Sequence, residues 1–189
     1  PAKLAQLLAY GATVLAVQGT YDQAFELCLE GSAAHGWYNR NTGFNPYMSE
    51  GKKTVIFEIC EQLGWQAPDW YIQSVSGGMG PLGVYQGFKE MFDMGLINRI
   101  PKIGIIQTDG CSPMVKAFKA GKDTAAPVIP DTRIIILSTG DPGKSYTYLW
   151  NIIQKHGGTM ESVTDAEAFD AMRSLAKSEG MAVEPATSV

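Results

Sequence analysis

The sequence predicts an α/β fold, an open parallel sheet in three layers with helices on both faces. Two observations carry that prediction. The strand-length segments Trp70–Val75 and Ile103–Thr108 are largely apolar rather than alternating, as strands covered on both faces are. Around them run segments with apolar residues at helical spacing, separated by glycine turns, and strands alternating with helices mark parallel βαβ units. Sheets of this kind bind ligands beyond the carboxyl ends of their strands.

The elements follow in order. Ala2–Tyr10 reads as a helix, with Pro1 suited to its first turn, Leu4, Leu7 and Leu8 on one face and Gly11 as its stop. Thr13–Val17 reads as a short buried strand, Gly19 as a turn and Tyr21–Glu30 as a helix with Ala24, Phe25, Leu27 and Cys28 at apolar positions. Trp37–Asn39 suggests a brief strand. The stretch from Asn41 to Gly51 is polar and turn-rich, with Asn45-Pro46 inside it, and is expected to cross between two domains. The division is placed at 1–44 and 45–189.

Lys52–Leu63 is the strongest helical pattern, through Val55, Ile56, Ile59, Cys60 and Leu63, and Gly64 ends it. After the strand Trp70–Val75 come a glycine loop, a helix over Leu82–Met94, the strand Ile103–Thr108 and a short helix over Ser112–Ala120. Asp123–Asp131 is a loop. Ile134–Leu137 fits a strand or part of a buried helix. Gly140–Gly143 is a turn, and helices are expected over Tyr146–His156 and Asp165–Ser178, the second N-capped by Thr164 or Asp165.

Composition excludes several function classes. The 189 residues are 45% hydrophobic, enough for a core, and the formal charge of −4 gives no electrostatic footprint for nucleic acid or an anionic membrane. No apolar run approaches the ~18 residues of a membrane span. Cys28, Cys60 and Cys111 are odd in number, far apart and without a C-x-x-C pair, which predicts incidental thiols in a reducing compartment. His35 and His156 cannot form a histidine-rich metal site and read as surface or capping residues. Both termini read as cut, which predicts a segment of a longer polypeptide.

The chemistry is expected at Ser76-Gly77-Gly78-Met79-Gly80-Pro81-Leu82-Gly83, which leaves a strand and opens a helix. Glycines adopt positive φ at little cost, so successive backbone N–H groups converge on one point. The helix N-terminus adds about half a positive charge. Together they form an anion cradle, best suited to phosphate. Gly78, Gly80 and Gly83 also satisfy G-x-G-x-x-G, and Asp109 stands where a ribose-binding acid would, so a nicotinamide-dependent (NAD) oxidoreductase is a remote alternative. A P-loop is excluded because no Gly-Lys-Ser/Thr closes the motif.

At this point a family enters. The opening Pro1–Ala12 stretch, Gly19–Ala24, Asn45-Pro46 with Glu50-Gly51-Lys52-Lys53-Thr54 and Phe57-Glu58-Ile59, the loop Ser76–Gly83 with Gly87-Phe88, then Gln107, Gly110, Pro113, Ala117-Phe118 and Glu184-Pro185-Ala186 are similar, in order, to threonine synthases. These belong to the tryptophan synthase β-like, fold-type II, pyridoxal-phosphate (PLP) enzymes. The resemblance implies PLP as cofactor, an incomplete version of that fold, 1–44 as part of the small domain and 45–189 as part of the large PLP-binding domain. It implies a lyase that converts O-phosphohomoserine and water to threonine and phosphate, cytoplasmic, working on a small amino-acid substrate and dimeric as a whole protein. The same scaffold serves threonine dehydratases and cysteine or cysteate synthases, and a non-catalytic fragment is a further alternative.

Residue by residue, the resemblance assigns cofactor binding to Ser76, Gly77, Gly78, Met79 and Gly80, with Ser76 adding a hydroxyl donor. Met79 and Pro81 depart from the asparagine and small residues common in the family. The Ser-Phe-Lys-Asp-type motif that carries the Schiff-base lysine does not occur in this sequence, so no catalytic residue is identified and the chain alone is expected to be inactive. Lys3 matches a different position and reads as a solvated helix lysine. Lys52 and Lys53 read as an exposed pair, Glu184 as a residue near the cofactor without a proton-transfer role. The residue that bonds the pyridine nitrogen is expected after Val189.

Overall fold

The computed structural model describes residues 2–189, with the side chains of Ala2 and Lys3 outside the description. The expectations placed on Pro1 and Lys3 therefore fall outside the described residues. The chain forms two compact units, Pro1–Trp37 and Tyr38–Val189.

The first unit holds two helices. Helix α1 spans Ala2–Ala9 and turns off at Gly11, whose φ is +78°. Helix α2 spans Tyr21–His35, longer than its sequence pattern. A capping box fixes its start, with the Thr20 hydroxyl accepting from the Gln23 N–H and the Gln23 side chain accepting from the Thr20 N–H. Gly36 ends it in the left-handed region. Thr13–Val17 is not a strand: it has no ladder partner among the described residues, and Leu15 is 76% exposed. A lone extended segment leaves its backbone groups to water, because a strand exists only where another pairs with it. Trp37–Asn39 likewise joins no strand ladder among the described residues, and no side chain from Leu4 to Trp37 is buried.

The second unit carries the sheet. Helix α3 (Tyr47–Glu50) runs through a 3-10 turn, Gly51–Lys53, into helix α4 (Thr54–Gln62). Strand β1 (Trp70–Ser74), helix α5 (Met79–Asp93), strand β2 (Lys102–Thr108), helix α6 (Pro113–Lys119), helix α7 (Lys144–His156), strand β3 (Gly158–Val163) and helix α8 (Asp165–Glu179) follow. The sheet is parallel with order β1-β2-β3; Ile72 pairs with Gly104 and Ile105 with Met160. Ile134–Leu137 is neither strand nor long helix but a 3-10 turn over Ile135–Leu137. Of its side chains Ile134 and Leu137 are buried while Ile135 and Ile136 face outward.

One face of the sheet is closed. Val75, Ile103, Ile105 and Met160 pack under Met114, Val115 and Ala117 of α6 and Tyr146, Leu149, Ile152 and Ile153 of α7. A second cluster joins α4 to α5 through Ile56, Cys60, Val84, Phe88 and Met91. Each fully buried side chain of this kind contributes about 1.5–3 kcal/mol. Gly83 and Gly87 make the helix contact close: a Cβ on Gly83 would lie 2.7 Å from Lys52 Cβ and 2.8 Å from the Ser49 carbonyl oxygen. The other face is only partly covered. Ile134, Leu137, Ala168 and Ala186 form a small cluster with Val163, while Ile72 is 65% exposed and Trp70 42% exposed. The architecture is the expected α/β parallel sheet, in incomplete form.

Candidate functional site

Because the sheet is parallel, Ser74, Thr108 and Val163 end β1, β2 and β3 at the same edge. The turn Ser76–Gly80 leaves that edge and opens α5. Its N-cap is Gly78, with φ +90° and ψ −6°. Only glycine holds this conformation cheaply, and here the space excludes anything larger. A Cβ on Gly78 would sit 2.8 Å from Met114 Cε, 3.0 Å from Leu149 Cδ1 and 3.2 Å from Ser145 Cβ.

Every carbonyl in the turn has a protein donor. Gln107 Nε2 donates to the Ser76 carbonyl at 3.3 Å, Ser145 Oγ to the Gly77 carbonyl at 2.6 Å and the Leu82 N–H to the Gly78 carbonyl at 3.4 Å. The N–H groups are the converse case. Among the described residues, those of Gly77, Gly78, Met79 and Gly80 have no acceptor. Pro81, third in α5, has no N–H to leave open. Four free donors therefore stand at the positive end of a 15-residue helix, with the start of α7 beside them through Ser145. The arrangement suits a phosphate-sized anion.

Each residue singled out in the sequence has a definite place. The Ser76 hydroxyl donates to Thr139 Oγ1 at 2.6 Å and accepts the Thr139 N–H at 3.1 Å, so its proton is engaged within the protein rather than free for a ligand. Gly77 and Gly80 are half-buried, as is Met79, which begins the helix. A Cβ at Gly80 would meet the Gln73 amide nitrogen at 2.5 Å. Gln73 Oε1 is itself buried beside the turn and lacks a donor among the described residues. Asp109 uses its N–H on Val163 and its carbonyl on Ser112. The third glycine of G-x-G-x-x-G, Gly83, serves packing against Ser49 and Lys52.

Lys52 and Lys53 are not an exposed pair. Lys53 is buried and its Nζ lies 2.5 Å from both Glu50 Oε2 and Glu90 Oε1, while Lys52 Nζ donates to the Met48 carbonyl at 3.0 Å. The hydrogen bonds that Lys53 donates to Glu50 and Glu90 raise its pKa, and the same bond to Glu90 holds that carboxyl below the usual carboxylate range. The physical reason is pairing: the Lys53 ammonium can be buried because two carboxylates, Glu50 and Glu90, accept from it. Glu184 is exposed, at the start of the 3-10 turn Pro185–Ser188 that packs beside β1 and α8.

Sequence reasoning missed Thr139, Ser145 and Gln107 as parts of the site. The first two lie 63 and 68 residues along the chain from their partners in the turn, and Gln107 31 residues from Ser76. No local pattern announces such contacts. Among the described residues no group of acids, cysteines and histidines is placed to hold a metal, and no helix is long and apolar enough to cross a membrane.

Comparison with known proteins adds three findings. A family model described as pyridoxal-phosphate dependent enzyme matches residues 1–189. Threonine synthases of Methanocaldococcus jannaschii and Methanosarcina acetivorans are 39% and 38% identical over 186 residues, 98% of this chain and 45% of theirs. The chain thus spans about half the length of the curated relatives it matches. Among solved structures, a pyridoxal 5'-phosphate-dependent aspartate racemase superposes with a TM-score of 0.77 at 18% identity, covering 99% of this chain and 54% of that one. Threonine deaminase isoform 2 of Solanum lycopersicum gives 0.75 at 21%, covering 100% and 51%. At such identities these two speak for the fold.

Proposed function

The chain belongs to the pyridoxal-phosphate dependent enzymes, and from that premise we propose that it is a segment of a threonine synthase, a lyase that takes O-phosphohomoserine and water to threonine and phosphate. The supporting observation is the in-register likeness to threonine synthases over 98% of the chain. PLP is the cofactor of this family, and the residues present fit it. Four successive N–H groups at the start of α5 have no acceptor among the described residues, and the Ser76, Gly77 and Gly78 carbonyls are tied to protein donors. Gly77, Gly78, Met79 and Gly80 hold the cofactor phosphate through backbone N–H groups, and Ser76 anchors the turn to Thr139 rather than donating to the phosphate. When bound, PLP supplies an electron-withdrawing ring to the substrate's α-carbon. What this chain supplies is placement. Residues that fixed the phosphate would orient the cofactor, and orientation of that kind is worth several orders of magnitude in rate.

In this reading residues 1–44 belong to the small domain of the whole enzyme and 45–189 to the large one. The lysine that binds the cofactor lies outside the chain, so the chain by itself does not turn over. The whole enzyme is a cytoplasmic homodimer acting on a small amino-acid substrate. The test is product analysis on the full-length gene product supplied with PLP. Release of inorganic phosphate and threonine from O-phosphohomoserine is expected. Ammonia and an oxo acid from threonine or serine, with no phosphate release, would replace the synthase by a dehydratase.

A further inference from the structure

We propose that Gln107 and Ser145 are positioning residues for the phosphate cradle: by holding two carbonyls of the turn inward they aim two amide protons outward. The inference rests on the cofactor reading above. Its basis is the geometry of the peptide group. In a planar trans peptide the C=O and the following N–H point in opposite directions. The Ser76 carbonyl shares a peptide with the Gly77 N–H, and the Gly77 carbonyl shares one with the Gly78 N–H. Gln107 Nε2 holds the first carbonyl at 3.3 Å and Ser145 Oγ holds the second at 2.6 Å. Each tether therefore fixes the direction of one donor in the cradle.

Both tethers come from regular elements of the second unit. Gln107 is fully buried on β2, and its Oε1 accepts the N–H groups of Met114 and Val115 at 3.0 and 3.3 Å, which fixes which end of the amide faces Ser76. Ser145 is the second residue of α7, which fixes its backbone, and its one hydroxyl proton is shared between the Gly77 carbonyl and the Pro142 carbonyl at 2.5 Å. Such tethers matter because glycine peptides rotate freely. Gly77 and Gly78 have no side chain to resist a flip of the peptide between them, and a flipped peptide would present a carbonyl oxygen to the anion.

The test is a ¹H–¹⁵N NMR titration of the chain with pyridoxamine 5′-phosphate, and with pyridoxamine as the probe lacking phosphate. In the unaltered chain the Gly77 and Gly78 amide resonances move with pyridoxamine 5′-phosphate and stay put with pyridoxamine. Ser145→Ala is expected to weaken binding of the phosphorylated probe at least tenfold, with pyridoxamine binding unchanged, and Ser145→Thr to restore it. Gln107→Glu keeps the acceptor for Met114 and Val115 and loses the donor to Ser76, so it is expected to weaken the same probe; should it not fold, Ser145→Ala decides alone. A folded Ser145→Ala chain that binds pyridoxamine 5′-phosphate as tightly as the unaltered one overturns the assignment. Equal weakening of both probes overturns it too, since that is what general loosening does. Gly77 and Gly78 resonances that ignore the phosphorylated probe in the unaltered chain sink the cofactor reading itself, and this inference with it.

Discussion

Replacing Gly78 by alanine isolates the demand that the turn places on its backbone. The native φ of +90° lies in the left-handed region, where a Cβ costs about 1–2 kcal/mol. Alanine restricts the unfolded chain and returns about 0.4–1 kcal/mol of that, leaving a net near 1 kcal/mol. The second contribution is crowding. The new methyl would lie 2.8 Å from Met114 Cε and 3.0 Å from Leu149 Cδ1, both in side chains that are fully buried. Overpacking of this kind costs about 1–3 kcal/mol. Gly78→Ala is therefore expected to lose about 2–4 kcal/mol. Gly180 is the control: its φ is +68° and nothing lies within 4 Å of its would-be Cβ, so Gly180→Ala should lose only the conformational part, about 1 kcal/mol. Urea unfolding of the three chains, followed by tryptophan fluorescence, measures both numbers. Equal losses for the two variants would refute the crowding argument, and with it the claim that α7 abuts the turn.

Three further outcomes follow from the packing. Tyr146 is fully buried and donates to the Lys122 carbonyl, and burial, with Asp123 adding to it, pushes its pKa up to about 12. A raised folded-state value favours the protonated form, so this contribution is fully present below the ordinary value of 10.0 and is lost as pH rises toward about 12. Tyr146→Phe should cost about 1 kcal/mol at neutral pH and flatten that alkaline decline in a pH series of melting temperatures. For Lys53 and Glu90, a Lys53→Met, Glu90→Gln double-mutant cycle should return a coupling of about 1 kcal/mol, at the low end because Glu90 is partly exposed. Glu90 is depressed in the folded state, so its contribution is present above the ordinary carboxylate value and lost as pH falls through the lowered one; Lys53→Met should remove that acid dependence. Thr164→Ala removes the capping box at the start of α8 and should cost about 1 kcal/mol, read as loss of helical circular dichroism stability.

Some elements were legible in the sequence and others were not, for physical reasons. β2 shows as an apolar run because Ile103 and Ile105 meet the packed core, and β1 shows as one although none of its five side chains is buried. β3, with the sequence Gly-Thr-Met-Glu-Ser-Val, escaped notice: it is an edge strand whose only fully buried side chain is Met160, so its polar residues hide its period. Thr13–Val17 fails in the opposite direction, since an apolar run specifies a strand only when a neighbour is there to pair with it. The turn Ser76–Gly80 was legible because glycine density and a following helix are local signals. Gln107 entered only among the residues that carry the family resemblance, and Ser145 not at all, because tethers between a turn and distant elements arise from folding rather than from spacing.

The partly bare face of the sheet has a consequence for handling the molecule. Among the described residues strand β1 pairs with a strand on one side only, and its other margin, near the exposed Trp70 and Ile72, has no strand ladder. Such a margin recruits whatever extended peptide it meets, including its own copies.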